Sequence, residues 1–356
     1  MPDFDRSIII DFQGAKLSSD TGFIVMRELD HRHNAITPIS DVLQDVRSIS
    51  HTKHSPIQMI RQRIYQMTGG YEDCNDADFL RIDPALRLAL GKGNKFGAGR
   101  SALSRLENDI LGNPEGLKAL DAAVLRAADA LIKKNDKHRF ILNVDSTEDP
   151  AYGKQEGFVY NCEKEHVTYF IRLPMNETLR KIMEPELTTR PVGRPPKSGV
   201  KAQRFGFYYR AGSWKRRRQV VCKVEWHTGE LFPRVGFIVT NSTLRAREVV
   251  KVYNGRAKVE NRIKEAKNTL RWDKTICHRF KANQARLKMG ALAYNLLHMV
   301  REFHLQGEEV KRSMKWLIRR IIKAAYRISS HGHRWWVHMA SSFPLAHHYR
   351  AVLGTG

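Results

Sequence analysis

A carboxylate set between cations at helical spacing can hold a divalent metal beside a phosphate. The chain carries such a set at Tyr253, Arg256, Glu260 and Lys267, in the run Tyr-Asn-Gly-Arg-Ala-Lys-Val-Glu-Asn-Arg-Ile-Lys-Glu-Ala-Lys. With about 3.6 residues per turn, Arg256, Glu260 and Lys267 fall within a narrow arc of one helix face, and Val259, Ile263, Ala266 and Leu270 form an apolar stripe beside it. Two readings are open. Glu260 ligates a metal while its cationic neighbours hold nucleic-acid phosphates, or the helix is a solvated surface with i, i+4 ion pairs such as Glu260 with Lys264, each worth about 0.2–0.5 kcal/mol. A further carboxylate, Asp145, ends the apolar run Phe-Ile-Leu-Asn-Val. An acid at the end of a central strand is where α/β sites collect carboxylates, although Asp also caps turns.

Several elements must position these groups. Asn254-Gly255 reads as the turn that starts the Glu260 helix, with Asn254 as N-cap and Tyr253 just outside. Upstream, Ser19-Asp20 precedes Phe23, Val25, Met26 and Leu29, and Ser55-Pro56 opens a helix that stops at Gly69-Gly70. Ser101 and Pro114 open two more, so the first third of the chain predicts a helical bundle. The acids Glu72, Asp73, Asp76 and Asp78 lack calcium-loop spacing and suit capping roles. Alternating apolar runs predict strands at 167–173, 205–209, 219–226 and 232–240. Between the first two lies Arg190-Pro-Val-Gly-Arg-Pro-Pro-Lys197, either a plain linker or one whose Arg194 hooks a narrow minor groove. A cationic series, Lys311, Lys315, Arg319, Lys323 and Arg327, each four apart, predicts one helix with an unbroken basic ridge suited to an anionic partner. Trp335-Trp336 either packs the tail down or stacks on bases.

The spacing Tyr-x2-Arg-x3-Glu-x6-Lys resembles the signature of bacterial insertion-sequence transposases of the DDE superfamily. Tyr71 to Asp78, Leu103-Ser-Arg-Leu-Glu-Asn108 and Asp145-Ser-Thr-Glu-Asp-Pro-Ala-Tyr-Gly-Lys-Gln-Glu-Gly157 resemble segments of one group within it. The resemblance implies a mixed α/β fold with four parts. These are an N-terminal helical DNA-binding or dimerisation domain (1–137), a ribonuclease-H-like core (138–175 and 241–306), a basic linker with β-rich insertion (176–240) and a basic C-terminal helical tail (307–356). It implies Asp145 and Glu260 as the first and third catalytic, metal-holding carboxylates, with Mg2+ or Mn2+ in a two-ion site. Tyr253, Arg256, Lys264 and Lys267 would contact DNA phosphates, joined by Arg194, Arg216, Arg217, Arg218, Lys315, Arg319 and Lys323. The partners implied are double-stranded DNA, as terminal inverted repeats and target, and a second copy of the chain on that DNA.

One part of the pattern is missing. The family's core needs two strands, a helix and a further strand carrying the second aspartate after the Asp145 strand, but only Phe158 to His166 separates Gly157 from the next apolar run. A single parallel crossover already takes a dozen or more residues. We therefore expect an internal loss near Tyr160 to Glu165, an incomplete core and crippled catalysis. The alternative is a non-catalytic DNA-binding protein or inhibitor of transposition derived from a transposase.

Charge distribution points the same way. The 61 Lys and Arg against 37 Asp and Glu give a formal charge of +24, yet residues 1–145 carry 20 of each sign, so the whole excess follows Asp145. Between Leu187 and Val224 there are 11 basic residues and no acid, and no acid follows Glu309. Such asymmetry predicts a polyanion partner. No run of 18 apolar residues occurs, which predicts no membrane span and a cytoplasmic, nucleoid-associated protein. The cysteines Cys74, Cys162, Cys222 and Cys277 are scattered and read as inert thiols, and His331, His333, His338, His347 and His348 lack zinc spacing beside a cysteine pair.

Overall fold

The computed structural model describes residues 17–43, 53–93, 95–134, 168–188, 199–212, 214–274, 277–331, 334–340 and 342–354. The strand expected before Asp145, Asp145 itself, Cys162 and the segment with Arg194 lie outside the described residues. The chain forms two compact units, Met1–Phe140 with Ile263–Gly356, and Ile141–Arg262.

The first unit begins with β1 (Leu17–Ser18), α1 (Phe23–His33), α2 (Thr37–Val42), α3 (Pro56–Thr68), α4 (Ala77–Leu80), α5 (Pro84–Ala89), α6 (Arg100–Arg105) and α7 (Pro114–Lys134). Local chemistry sets the starts. Ser55 and Gln58 cap α3 reciprocally, the Ser55 hydroxyl accepting from the Gln58 amide and the Gln58 side chain from the Ser55 amide, with Pro56 in the first turn. Asp83 caps α5, accepting from the Leu86 amide at 2.8 Å. The acid cluster does take capping roles, since Asp73 accepts from the Asn75 amide, Asp76 from the Asp73 amide and Asp78 from the Arg100 amide. Both faces of α3 are buried, and most of its buried polar side chains are paired, Gln62 with the Ala98 backbone, Arg63 with Glu107 and Tyr65 with Asp30. Asp30 is fully buried and accepts from Arg61 Nε (2.8 Å), the Tyr65 hydroxyl (3.0 Å) and the Ile36 amide (2.8 Å).

The second unit contains β2 (Phe170–Leu173), α8 (Glu177–Thr188), β3 (Val200–Tyr209), β4 (Arg218–His227), β5 (Arg234–Thr240) and α9 (Ala246–Asn254). Its four strands form an antiparallel sheet in the order β2-β5-β4-β3, with Phe170 opposite Thr240 and Val221 opposite Ile238. Period-2 alternation divides the sheet's side chains between two small cores. Val220, Cys222, Val224 and Trp226 pack with Phe237, Val239, and Leu179 and Met183 of α8. Val221 and Ile238 pack on the other side against Val249 and Val250 of α9. Among the described residues the second edge of β2 has no partner strand.

Helix α10 (Arg256–Leu270) leaves the second unit and returns the chain to the first. There follow α11 (Phe280–His304), a 3-10 turn at Gly307–Lys311, α12 (Met314–Leu317) continuing as a π turn at Ile318–Ile322, β6 (Tyr326–His331), β7 (Arg334–His338) and α13 (Ala346–Leu353). The stripe Ala285, Met289, Leu292, Leu296 and Met299 of α11 is buried, and it shares one hydrophobic core with α1, α3 and α7. Gly290 permits the close approach of Trp272, whose Nε1 would lie 2.9 Å from an added Cβ. Strands β1, β6 and β7 form a small antiparallel sheet. The fold is thus mixed α/β. No helix among the described residues is long and apolar enough to cross a membrane.

The expected continuous helix from Lys311 to Arg327 is not formed. Lys311 ends the 3-10 turn, the helical segment starts at Met314 behind the Ser313 cap, and Arg327 lies on β6. A π turn adds a residue per turn and moves the i, i+4 positions out of line. The chain then turns extended, with Tyr326 and Ile328 buried and Arg327 exposed. That alternation was present in Tyr-Arg-Ile-Ser and is a strand's period.

Candidate nucleic-acid interface

The central segment differs from expectation at its start. Gly255 keeps helical angles (φ −57°, ψ −24°), its amide donates to the Val252 carbonyl at 3.0 Å, and the Lys258 amide donates to its own carbonyl at 3.1 Å. Asn254 is therefore the last residue of α9 and not an N-cap, which would need an extended backbone. An added Cβ on Gly255 would stand 2.9 Å from the Val252 carbonyl oxygen, which is why the junction needs glycine. Tyr253 accordingly sits inside α9, half-buried against the Val221, Ile238, Val249 and Val250 cluster. It anchors the segment to the sheet.

From residue 257 to residue 264 every side chain of α10 is exposed. Arg256 Nε lies 3.1 Å from Glu260 Oε1, one turn on, so the ion pair formed reaches back to Arg256. Of the expected apolar stripe only Ala266 and Leu270 are buried, while Val259 is 40% and Ile263 43% exposed. Lys264 and Lys267 project into solvent on the part of the helix that belongs to the first unit.

In the second unit Arg216 and Arg217 are exposed in the connection between β3 and β4. Arg218 is placed differently. It donates to the Tyr169 hydroxyl, and its guanidinium lies 5.7 Å from the Tyr169 ring centroid and 5.5 Å from that of Trp214, which in turn meets Tyr209 edge-on. Lys315 and Arg319 are exposed in the first unit, and Lys323 Nζ sits 4.2 Å from the Tyr71 ring centroid. Cys74, Cys222 and Cys277 are free, and burial pushes the Cys74 and Cys222 thiols up to about 12, so both stay protonated and inert near neutrality.

Glu260 belongs to no group of three acidic, histidine or cysteine side chains near enough to share a metal ion among the described residues. The described residues therefore do not compose a two-ion site. One such group exists elsewhere in the described residues, Glu309 with His347 and His348. Neither it nor the exposure of Trp335 and Trp336 on β7 was apparent from spacing alone, because the residues that make these features come together only when β6, β7 and α13 fold onto the unit.

The family model of the transposase DDE domain, group 1, matches the chain in two segments, residues 1–162 and 157–355. Together these span nearly the whole chain, which belongs to that family of DDE transposases. No curated protein and no solved structure matches it.

Proposed function

We propose that this protein is an insertion-sequence transposase that binds the ends of its element as a dimer and has lost most of its capacity to cut and join DNA. Family membership carries the transposase reading. The loss rests on the sequence, in which only Phe158 to His166 stands where the expected hairpin, helix and second aspartate would have to fit. It is supported also by α10, which presents Val259 and Ile263 to solvent where a complete core would give them a surface to cover.

DNA binding rests on the exposed cations. Arg216 and Arg217 on the second unit, and Lys264, Lys267, Lys315 and Arg319 on the first, are chemically suited to phosphate oxygens. Residues 1–137 would serve binding or dimerisation, 138–175 with 241–306 the reduced core, 176–240 the basic insertion and 307–356 a second basic surface. Asp145 and Glu260 are the two remaining family carboxylates, and Mg2+ or Mn2+ the metal they would need a third partner to hold.

The test uses full-length protein, magnesium or manganese, and a labelled duplex bearing the short inverted repeats that flank the gene. Preference for that duplex over a scrambled one is expected, with neither nicking nor joining. Metal-dependent cleavage at the repeat end would overturn the catalytic defect, and equal affinity for both duplexes would overturn end recognition.

A further inference from the structure

His348 is only 3% exposed, and its Nε2 faces Glu309 Oε2 at 2.6 Å without the angles of a hydrogen bond. The ring also meets the backbone of His304. A neutral imidazole has one N–H to give. Where Nε2 carries no proton it brings a lone pair toward a carboxylate lone pair, and a cation between the two relieves that contact. A proton can fill that place as an imidazolium–carboxylate pair and a metal ion can fill it as a shared ligand site, and a second histidine at the same oxygen favours the metal. A second imidazole is aimed at the same oxygen: His347 Nε2 stands 3.8 Å from Glu309 Oε2, and the two imidazole centroids are 3.9 Å apart. One ligand atom from each of the three side chains lies within 4.8 Å of the others.

We propose that Glu309, His347 and His348 form a binding site for a borderline transition-metal ion, zinc foremost, which clips α13 to the 3-10 turn at Gly307–Lys311. Two imidazoles and one carboxylate select zinc, cobalt or nickel over magnesium, which prefers oxygen. Bonds of about 2.0–2.2 Å place tetrahedral ligand atoms about 3.3 Å apart, and the distances of 2.6 and 3.8 Å bracket that value. A small rotation of the Glu309 side chain, which has one side open to solvent, equalises them. The fourth position opens beside the exposed His347 and suits a water molecule. This site shares no residue with Asp145 or Glu260, and it stands whether or not the protein cuts DNA.

Chelator-stripped full-length protein would be dialysed against zinc chloride at micromolar free ion, with bound metal counted by elemental analysis and thermal unfolding followed with and without zinc. One tightly held zinc per chain and a zinc-dependent rise in Tm are expected. His347→Ala and Glu309→Gln, both at solvent-accessible side chains, should each weaken retention at least tenfold and remove the rise, while His31→Ala, at an exposed histidine outside the cluster, leaves both unchanged. Cobalt in place of zinc should give visible d–d absorption in the parent and not in the two variants. Zinc retention equal in parent, His347→Ala and Glu309→Gln would assign the ion to other histidines and overturn the proposal, as would no retention by the parent.

Discussion

Arg256 holds Glu260 one helical turn away, Nε to Oε1 at 3.1 Å, on a stretch of α10 that is solvent-exposed on all sides. An exposed i, i+4 pair contributes only about 0.3–0.5 kcal/mol, so it does not explain why both residues stand there. The two substitutions should therefore separate by function. Glu260→Gln removes a charge that repels phosphate and should leave duplex binding unchanged or tighter, with Tm unchanged. Arg256→Ala should weaken binding severalfold. Fluorescence anisotropy on a terminal-repeat duplex reads both, and equal losses in the two variants would reduce the pair to a structural feature of the helix.

The basic connection between β3 and β4 should divide similarly. Arg216 and Arg217 are exposed, whereas Arg218 is committed to Tyr169 and Trp214. Replacing Arg216 and Arg217 by serine should lower the slope of log affinity against log salt by about 0.9 for each phosphate that these arginines neutralise. Arg218→Ala should cost about 1 kcal/mol of stability, because the guanidinium no longer lies over the two aromatic rings. A salt titration and a urea melt on the same three proteins separate the roles; an unchanged slope in the double variant would remove this connection from the interface.

Deep in the first unit, Arg63 Nε lies 2.6 Å from Glu107 Oε1, and both side chains are buried. The Tyr71 and Glu72 carbonyls accept from the remaining guanidinium nitrogens. Glu107→Ala leaves that charge in the core without its partner and should cost about 3–5 kcal/mol in urea denaturation. Arg63→Met combined with Glu107→Leu should cost much less. A double variant as unstable as the single one would mean that packing around the pair, and not the orphaned charge, sets the loss.

Glu72 supplies a pH dependence. Burial pushes its carboxyl upward, but the Lys274 ammonium bonded to it, backbone hydrogen bonding and Arg271 outweigh burial and hold it below the usual glutamate range. A depressed carboxylate stabilises the fold fully above its unfolded value and loses that contribution as pH falls through its folded value. Lys274→Met should flatten the acid limb of a Tm-against-pH profile below the ordinary glutamate range and leave the neutral limb parallel to the parent. Superimposable acid limbs would exclude the pair as the source.

Strands β4 and β5 were legible because alternation continued for about seven residues, whereas of β3 only 205–209 was legible and 200–204 was not, since the alternation breaks at Arg204-Phe205. The helix capped by Ser55 was legible for an equally local reason. The cationic ridge was not, since charges four apart satisfy a helix pattern whether or not a π turn intervenes, and the weaker alternation at Tyr326 and Ile328 decided the matter. Nor could local sequence reveal that α3 and α11, more than two hundred residues apart, bury their stripes in one core. At the candidate site the spacing correctly put Arg256 and Glu260 on one face, but the ion pair expected between Glu260 and Lys264 is made with Arg256, one turn the other way, a choice that equal i, i+4 spacing on both sides does not reveal. Asp145 lies outside the described residues.

The exposed stripe of α10 makes the internal loss testable without any DNA. Val259 and Ile263 occupy positions that an amphipathic helix would bury, yet in this chain they are 40% and 43% exposed. Surface substitutions of this kind change stability by less than about 0.5 kcal/mol, so Val259→Ser and Ile263→Ser should be nearly silent in a urea melt of the chain as it stands. Grafting the family's hairpin, helix and aspartate-bearing strand between Asn161 and Glu165 should supply the surface that α10 covers. In the grafted protein the same two substitutions should then each cost about 1–3 kcal/mol, the amount lost when a buried aliphatic side chain gives way to a smaller polar one. The graft should also raise Tm and restore magnesium-dependent cutting of the terminal-repeat duplex. If the substitutions stay silent in the grafted chain while it remains folded, α10 does not pack on the restored strands, and the exposure of Val259 and Ile263 is native to the protein and no sign of a missing segment.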